Sequence, residues 1–311
     1  MEKIKKYFIN KIVVWTFIFI LICLFYFIPT NNNFDIEIAN DTKEYTSNVV
    51  YLLDNDNYVS KVVTYFNSEN IIDEIKSKIN VLINGDSSLK SFYSLIPKGT
   101  ILKNVKVDKD TVYLDFNKEL LNVNEYIEES MIEAIVWTVT EINGINNVYI
   151  SVDSETLKEL PNSHQELPVP LTRNYGINKK YDIKNFNDLD KTIIYFSKSD
   201  GENNYYVPVT KISNMTSEKI DIIIEELKSS INAQDNLNGF IPNNLELVSS
   251  EIDNNKMNLV FNNYIFNDSS KKVILEEVKY LLSESVFANY DIDEVIFSTE
   301  SDKNITRVVK K

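Results

Sequence analysis

The residues that could do chemistry in this chain are mostly carboxylates. They cluster at Asp54-Asn55-Asp56-Asn57, at Glu128-Glu129 with Glu133, at Glu225-Glu226 and at Glu276-Glu277. Paired carboxylates can hydrolyse glycosides, one as acid and one as base or nucleophile. A carboxylate hydrolase is therefore one class to weigh. Against it, Glu129, Glu133, Glu225 and Glu276 fall on amphipathic helical segments away from the apolar stripe, where a solvated face is expected. Asp54 to Asn57 offers oxygen ligands of the kind Ca²⁺ takes, but it lacks the glycine and the distal glutamate of an EF-hand loop. A plain hairpin turn is expected there. The one histidine, His164, has no converging ligands and reads as a surface residue. The one cysteine, Cys23, excludes an intrachain disulfide and a cysteine metal site. No catalytic, cofactor-binding or metal-binding residue is assigned on these grounds.

Composition narrows the classes further. The chain has 311 residues, 43% of them hydrophobic, which supports packed cores rather than disorder. Its six glycines form neither a G-x-G-x-x-G nor a Walker pattern. The net charge is −14, with the first eleven residues positive and the rest more acidic still. So acidic a surface repels polyphosphate, and no nucleic-acid partner is expected.

The elements that would position these residues come in a repeated order. Residues 1–11 are a basic tail. Residues 12–28 are an apolar run without charge, about 25 Å long at ~1.5 Å per residue, and residues 12–29 read as a transmembrane helix. Lysines precede it and acids follow it, which puts the N-terminus in the cytoplasm and the rest outside. No small-residue cleavage site follows, and Ile22 precedes Cys23, so an uncleaved single-pass anchor is expected rather than a signal peptide or a lipoprotein signal. Residues 30–46 are a polar tether.

Residues 47–155 then read as ββαββαβ. A hairpin turns at Asp54 to Asn57. A helix runs through Ile71, Ile72, Ile75, Ile79 and Leu82, with Ser68 as cap and Asn84-Gly85-Asp86 as stop. A second hairpin turns at Asp108-Lys109-Asp110. A helix runs from Ile127 to Ile142, closed by Gly144. A strand from Val148 to Val152 ends the unit. Residues 192–300 repeat this order. Val112, Leu114 and Phe116 recur as Met257, Leu259 and Phe261 at a spacing of 145 residues. Ile71, Ile72, Ile75 and Ile79 recur as Ile223, Ile224, Leu227 and Ile231. Met131, Ala134, Ile135 and Val139 recur as Val278, Leu281, Leu282 and Val286. The spacing changes only between elements, the mark of structural repetition. Residues 156–191 are a proline-containing linker whose leucines are expected to lie partly against a domain. Residues 301–311 are expected to fray. Trp137 is one position off its helix stripe, and its counterpart is Glu284. It is either core edge or an exposed anchor for a partner.

Ile96-Pro97-Lys98-Gly99-Thr100, Val105-x-Val107, Val112 to Asn117, Ala134-Ile135-Val136 and Val148 to Val152 resemble the GerMN domain, the module of GerM-type spore germination and sporulation proteins. The resemblance covers both units and is closer in the first. The second has Asn243-Asn244 where Pro-Lys-Gly is expected. The first ends Asp153-Ser154 rather than Asp-Gly. None of these motifs is catalytic. The resemblance implies an α+β fold, two tandem small α/β sandwiches similar to ring-building motifs, placed outside the membrane. It also implies protein partners in a sporulation membrane complex between mother cell and forespore, with homo- or hetero-oligomerisation open. The expectation is a non-catalytic assembly or scaffold component, without cofactor. The alternative is a sensory ectodomain that binds a germinant or a cell-wall fragment.

Overall fold

A computed structural model describes residues 46–201, 203–214, 217–229, 236–268, 272–303 and 305–310. The basic tail, the membrane helix and all of the tether but residue 46 lie outside the described residues. Among the described residues, no helix is long and apolar enough to cross a membrane. The described residues fall within one compact unit.

The first repeat opens with strands β1 (Ser47–Asp54) and β2 (Val59–Tyr65), paired antiparallel. Helix α1 (Ile71–Asn84) follows. Its cap is Asn70 rather than Ser68: the Asn70 side chain accepts from the N–H groups of Ile72 and Asp73, two of the donors a helix start leaves free. Gly85, at φ 74°, ends it as expected. Short β3 (Phe92–Tyr93) leads to the hairpin β4 (Leu102–Asp108) and β5 (Thr111–Phe116). Asp108 pairs with Thr111, so the turn is the two residues Lys109 and Asp110. Helix α2 (Glu128–Val139) is shorter than its apolar pattern, and Gly144 lies in the turn beyond it. Thr140 takes the cap position and turns its hydroxyl back on the Val136 carbonyl. β6 (Asn147–Val152) runs parallel to β5, and β7 (Glu155–Thr156) folds back on it.

The second repeat follows the same order: β9 (Leu189–Ser199), β10 (Asn204–Asn214), α3 (Lys219–Ser229), β11 (Leu247–Asp253), β12 (Lys256–Phe261), α4 (Glu276–Asn289) and β13 (Glu294–Thr299). The expected frayed tail is corrected here. Thr306–Val309 is a strand, β14, paired antiparallel with β13 as β7 is with β6. Half-buried Ile305 and Val308 pack against the core and hold it there. β4-β5-β6-β7 and β11-β12-β13-β14 are separate four-stranded sheets of matching order.

The sequence leads one to expect two self-contained sandwiches, but the first hairpins of both repeats join one sheet. Its order is β3-β1-β2-β10, with β9 and β8 (Lys180–Asp182) also on β10. The helices cap its outer strands in matching ways. The Tyr51 N–H on β1 donates to Thr138 Oγ1 of α2, and the Tyr195 N–H on β9 donates to Ser285 Oγ of α4, both at 2.9 Å. These two pairs occupy equivalent positions in the two repeats. The repetition is thus geometric as well as sequential.

Candidate functional site at the seam of the two repeats

β9 pairs with β10 along its whole length, so the other edge of β10 is shared. β2 meets it at Tyr206, opposite Lys61, and β8 meets it parallel at Lys211 to Ser213. Continuing the Lys61–Tyr206 register would set Val59 opposite Pro208. Proline has no N–H to complete such a pair. Asn178 of the connecting segment fills the gap. Its Oδ1 accepts from the Val59 N–H at 2.9 Å, and its Nδ2 donates to the carbonyls of Val59 and Pro208 at 2.8 Å each. The side-chain amide stands in for a peptide unit and links the two hairpins. Asn178 sits at φ 48°, a left-handed conformation that asparagine tolerates better than most residues. Its neighbour Ile177 exchanges bonds with Thr210: the Thr210 N–H donates to the Ile177 carbonyl and the Ile177 N–H donates to Thr210 Oγ1.

Three ionic clusters lie along this seam. In the first, Lys61 of β2 contacts Glu141 at 3.1 Å and Glu284 of α4 at 2.8 Å. Arg173 pairs with the other oxygen of Glu141, and Tyr51 OH donates to that oxygen. Burial alone would raise the Glu141 carboxyl, but Lys61 and Arg173 more than reverse this and hold it down at about 2. Arg173 also lies over Trp137, 4.6 Å from the ring centroid. Trp137 itself is fully buried, edge-on to Tyr51, and its Nε1–H donates to the Gly176 carbonyl at 3.1 Å. Of the two expectations for Trp137, the structure selects packing.

In the second cluster, Lys198 of β9 reaches Asp54 at 2.9 Å and Asp56 at 2.6 Å. Asp54 is 1% exposed. It also accepts from the N–H groups of Asp56 and Tyr58, from Ser60 Oγ and from Tyr205 OH. The Asp54-to-Asn57 stretch is the expected hairpin turn, with Asn57 at φ 65°. A lysine ammonium from the second repeat sits between its two carboxylates.

In the third, Lys179 lies 2.6 Å from Glu129 and 3.1 Å from Glu133, with its ammonium 3.6 Å from the Tyr175 ring centroid. Here an expectation is overturned. Glu133, expected on a solvated face, is buried, and the neighbouring Glu128 is buried as well. Glu128 accepts from the N–H groups of Asn162 and Ser163 and from the Asn162 amide, and Glu133 accepts from the Asn178 N–H. The connecting segment covers this face of α2, which periodicity within the helix does not reveal. Glu225 and Glu276 are solvent-exposed as expected. His164 is also exposed, 3.0 Å from Glu159. Among the described residues no group of histidine, cysteine or acidic side chains converges as a metal site.

Residues 49–158 match the family model Germane, described as sporulation and spore germination. The match falls on the first repeat. Over 195 residues the chain is 31% identical to the spore germination protein GerM of Bacillus subtilis (strain 168), taking in 60% of this chain and 52% of that protein. The chain thus spans about half the length of the curated relative it matches. Among solved structures, the tandem GerMN domains of the sporulation protein GerM from Bacillus subtilis match at a TM-score of 0.77 and 22% identity. That match covers 86% of this chain and 97% of the other. The chain therefore has the tandem GerMN fold, and the second repeat is its second GerMN-like half.

Proposed function

We propose that this Germane-domain protein acts in sporulation or spore germination as a non-catalytic assembly component. Residues 12–29 would anchor it in the membrane, with the cytoplasm on the side of residues 1–11. Residues 47–155 and 192–300 are two GerMN-like domains held outside, joined through residues 156–191. Their surfaces bind protein partners of a sporulation membrane complex. The observation that carries this reading is where the buried charges go. Asp54, Glu128, Glu133 and Glu141 all take structural partners at the seam or along the connecting segment. Groups committed in this way fix one GerMN half against the other, which suits a rigid docking body.

The test is the number of heat-resistant spores from a host lacking the gene. A deep fall, with imaging that shows arrest after engulfment, supports the assembly role. Normal spore numbers and normal germination would refute it.

One feature favours a second reading as a ligand-binding ectodomain. An open apolar cleft of about 400 Å³ in the second repeat is lined by Phe240, Ile241, Pro242, Tyr264 and Leu275 among others. That volume is within the range of small-molecule sites. Screening melting temperature against amino acids and muropeptides separates the readings, because a ligand of the folded protein must raise it.

A further inference from the structure

The ionic clusters of the seam differ in their charge balance. At Lys61 and Arg173, two cations meet the two carboxylates Glu141 and Glu284. At Lys179, one ammonium is shared by two carboxylates, Glu129 and Glu133. The Glu133 side chain is 4% exposed and that of Lys179 8% exposed. A buried group with one negative charge in excess is the setting in which a carboxyl takes up a proton. Lys191 of β9 also faces Lys179, and its ammonium donates to the Asn174 carbonyl at 2.7 Å. Tyr175 OH donates to Glu129. Of the cations on the elements packed against α2, Lys61 and Arg173 are engaged with Glu141, and Lys78 with Glu74 and the Val49 carbonyl.

The position of Glu133 links this charge to the architecture. One of its oxygens contacts Lys179, and the other accepts from the N–H of Asn178 at 3.0 Å. The Asn178 side chain in turn connects Val59 of the first repeat to Pro208 of the second. We propose that Glu133, Glu129 and Lys179 form a one-proton site that tunes the join between the two repeats. With Glu133 protonated, the excess buried negative charge is gone and the closed join is tight. With Glu133 ionised, its desolvated charge is relieved by opening toward water, and the Asn178 bridge opens more often. No net chemistry is involved: a proton from solvent binds one carboxylate oxygen and leaves again. Burial, opposed by Lys179, pushes Glu133 up to about 7, which puts the change near neutral pH. This inference goes beyond the proposed role and does not depend on it.

Amide hydrogen exchange of the full-length protein tests it, with rates corrected for the intrinsic effect of pH. Protection at Val59 and Asn178 is expected to fall about tenfold as pH rises from 6 to 8, the linkage of a carboxyl at about 7 in the closed join and at its ordinary 4.5 once opened. Amides of β5, such as Leu114, are expected to stay constant. Glu133→Gln removes the step. Glu129→Gln, at a partly exposed position that folding tolerates, removes the excess charge and moves the step to lower pH. A wild type without a step would overturn the proposal. So would a step that survives Glu133→Gln, or a midpoint that Glu129→Gln leaves in place.

Discussion

Replacing Asn178 probes the join most directly, because its side chain makes three bonds across two hairpins. Asn178→Ala removes all three. The N–H and C=O of Val59 and the C=O of Pro208 lose their partner, and Val59 is fully buried. At roughly 1 kcal/mol net per bond, the loss is about 3 kcal/mol. Alanine at φ 48° adds about 1 kcal/mol of backbone strain. Asn178→Gly makes the same losses without the strain, so it should be the milder change. Asn178→Asp keeps the bond from Val59 N–H. It also sets an anionic oxygen against two carbonyls, near the Glu133 carboxyl that the Asn178 N–H contacts. Aspartate, the closest in shape, should therefore be the most damaging of the three. The assay is urea unfolding of the full-length protein, with thermal melting as a second measure. A loss of about 4 kcal/mol in the alanine variant corresponds to a fall in Tm of roughly 6–8 °C for a chain of this size. If aspartate proves as stable as wild type, or alanine costs under about 0.5 kcal/mol, the bridging role assigned to this amide is wrong.

Three further outcomes follow from the same geometry. Lys198→Met leaves Asp54 charged and buried without its cation, and should cost roughly 3–5 kcal/mol by urea unfolding. Adding Asp54→Asn should recover much of that loss, so a double-mutant cycle reads the coupling. Gly176→Ala should destabilise by about 1–2 kcal/mol. Gly176 is at φ +94°, and a Cβ there would lie 2.9 Å from Lys179 Cε and 3.3 Å from Thr210 Oγ1. Glu141 is depressed from an ordinary 4.5 to about 2. Its contribution is therefore full above the ordinary carboxylate range and is lost as pH falls toward 2. Glu141→Gln should flatten the acid side of a stability-against-pH curve measured from pH 6 down to pH 3.

Much of this architecture can be read locally. Alternating Val112, Leu114 and Phe116 dictate a half-buried strand, and Met257, Leu259 and Phe261 repeat it, because strand side chains alternate faces whatever surrounds them. The helical stripes of α1, α2 and α4 and the positions of the hairpin turns are legible for the same reason: each is set by neighbours a few positions away. The repeated order of elements follows from these patterns alone.

What only the tertiary structure decides is which polar residues lie inside. Glu133 and Glu129 share a helix and a charge, yet one is buried and the other partly exposed. The difference comes from residues 175–179 folding over α2, a contact between segments more than forty positions apart. Asp54 is an ordinary turn residue until Lys198 arrives from 144 positions away. Pro208 marks a weak point in a strand, but the partner that fills it, Asn178, carries no signal of its own among the many asparagines of the chain. The tail's few and charged residues carry no sign of a strand. It forms β14 because β13 offers it an open edge. Local pattern determined the elements. The seam was decided by long-range pairing of charge and backbone, which no window of sequence contains.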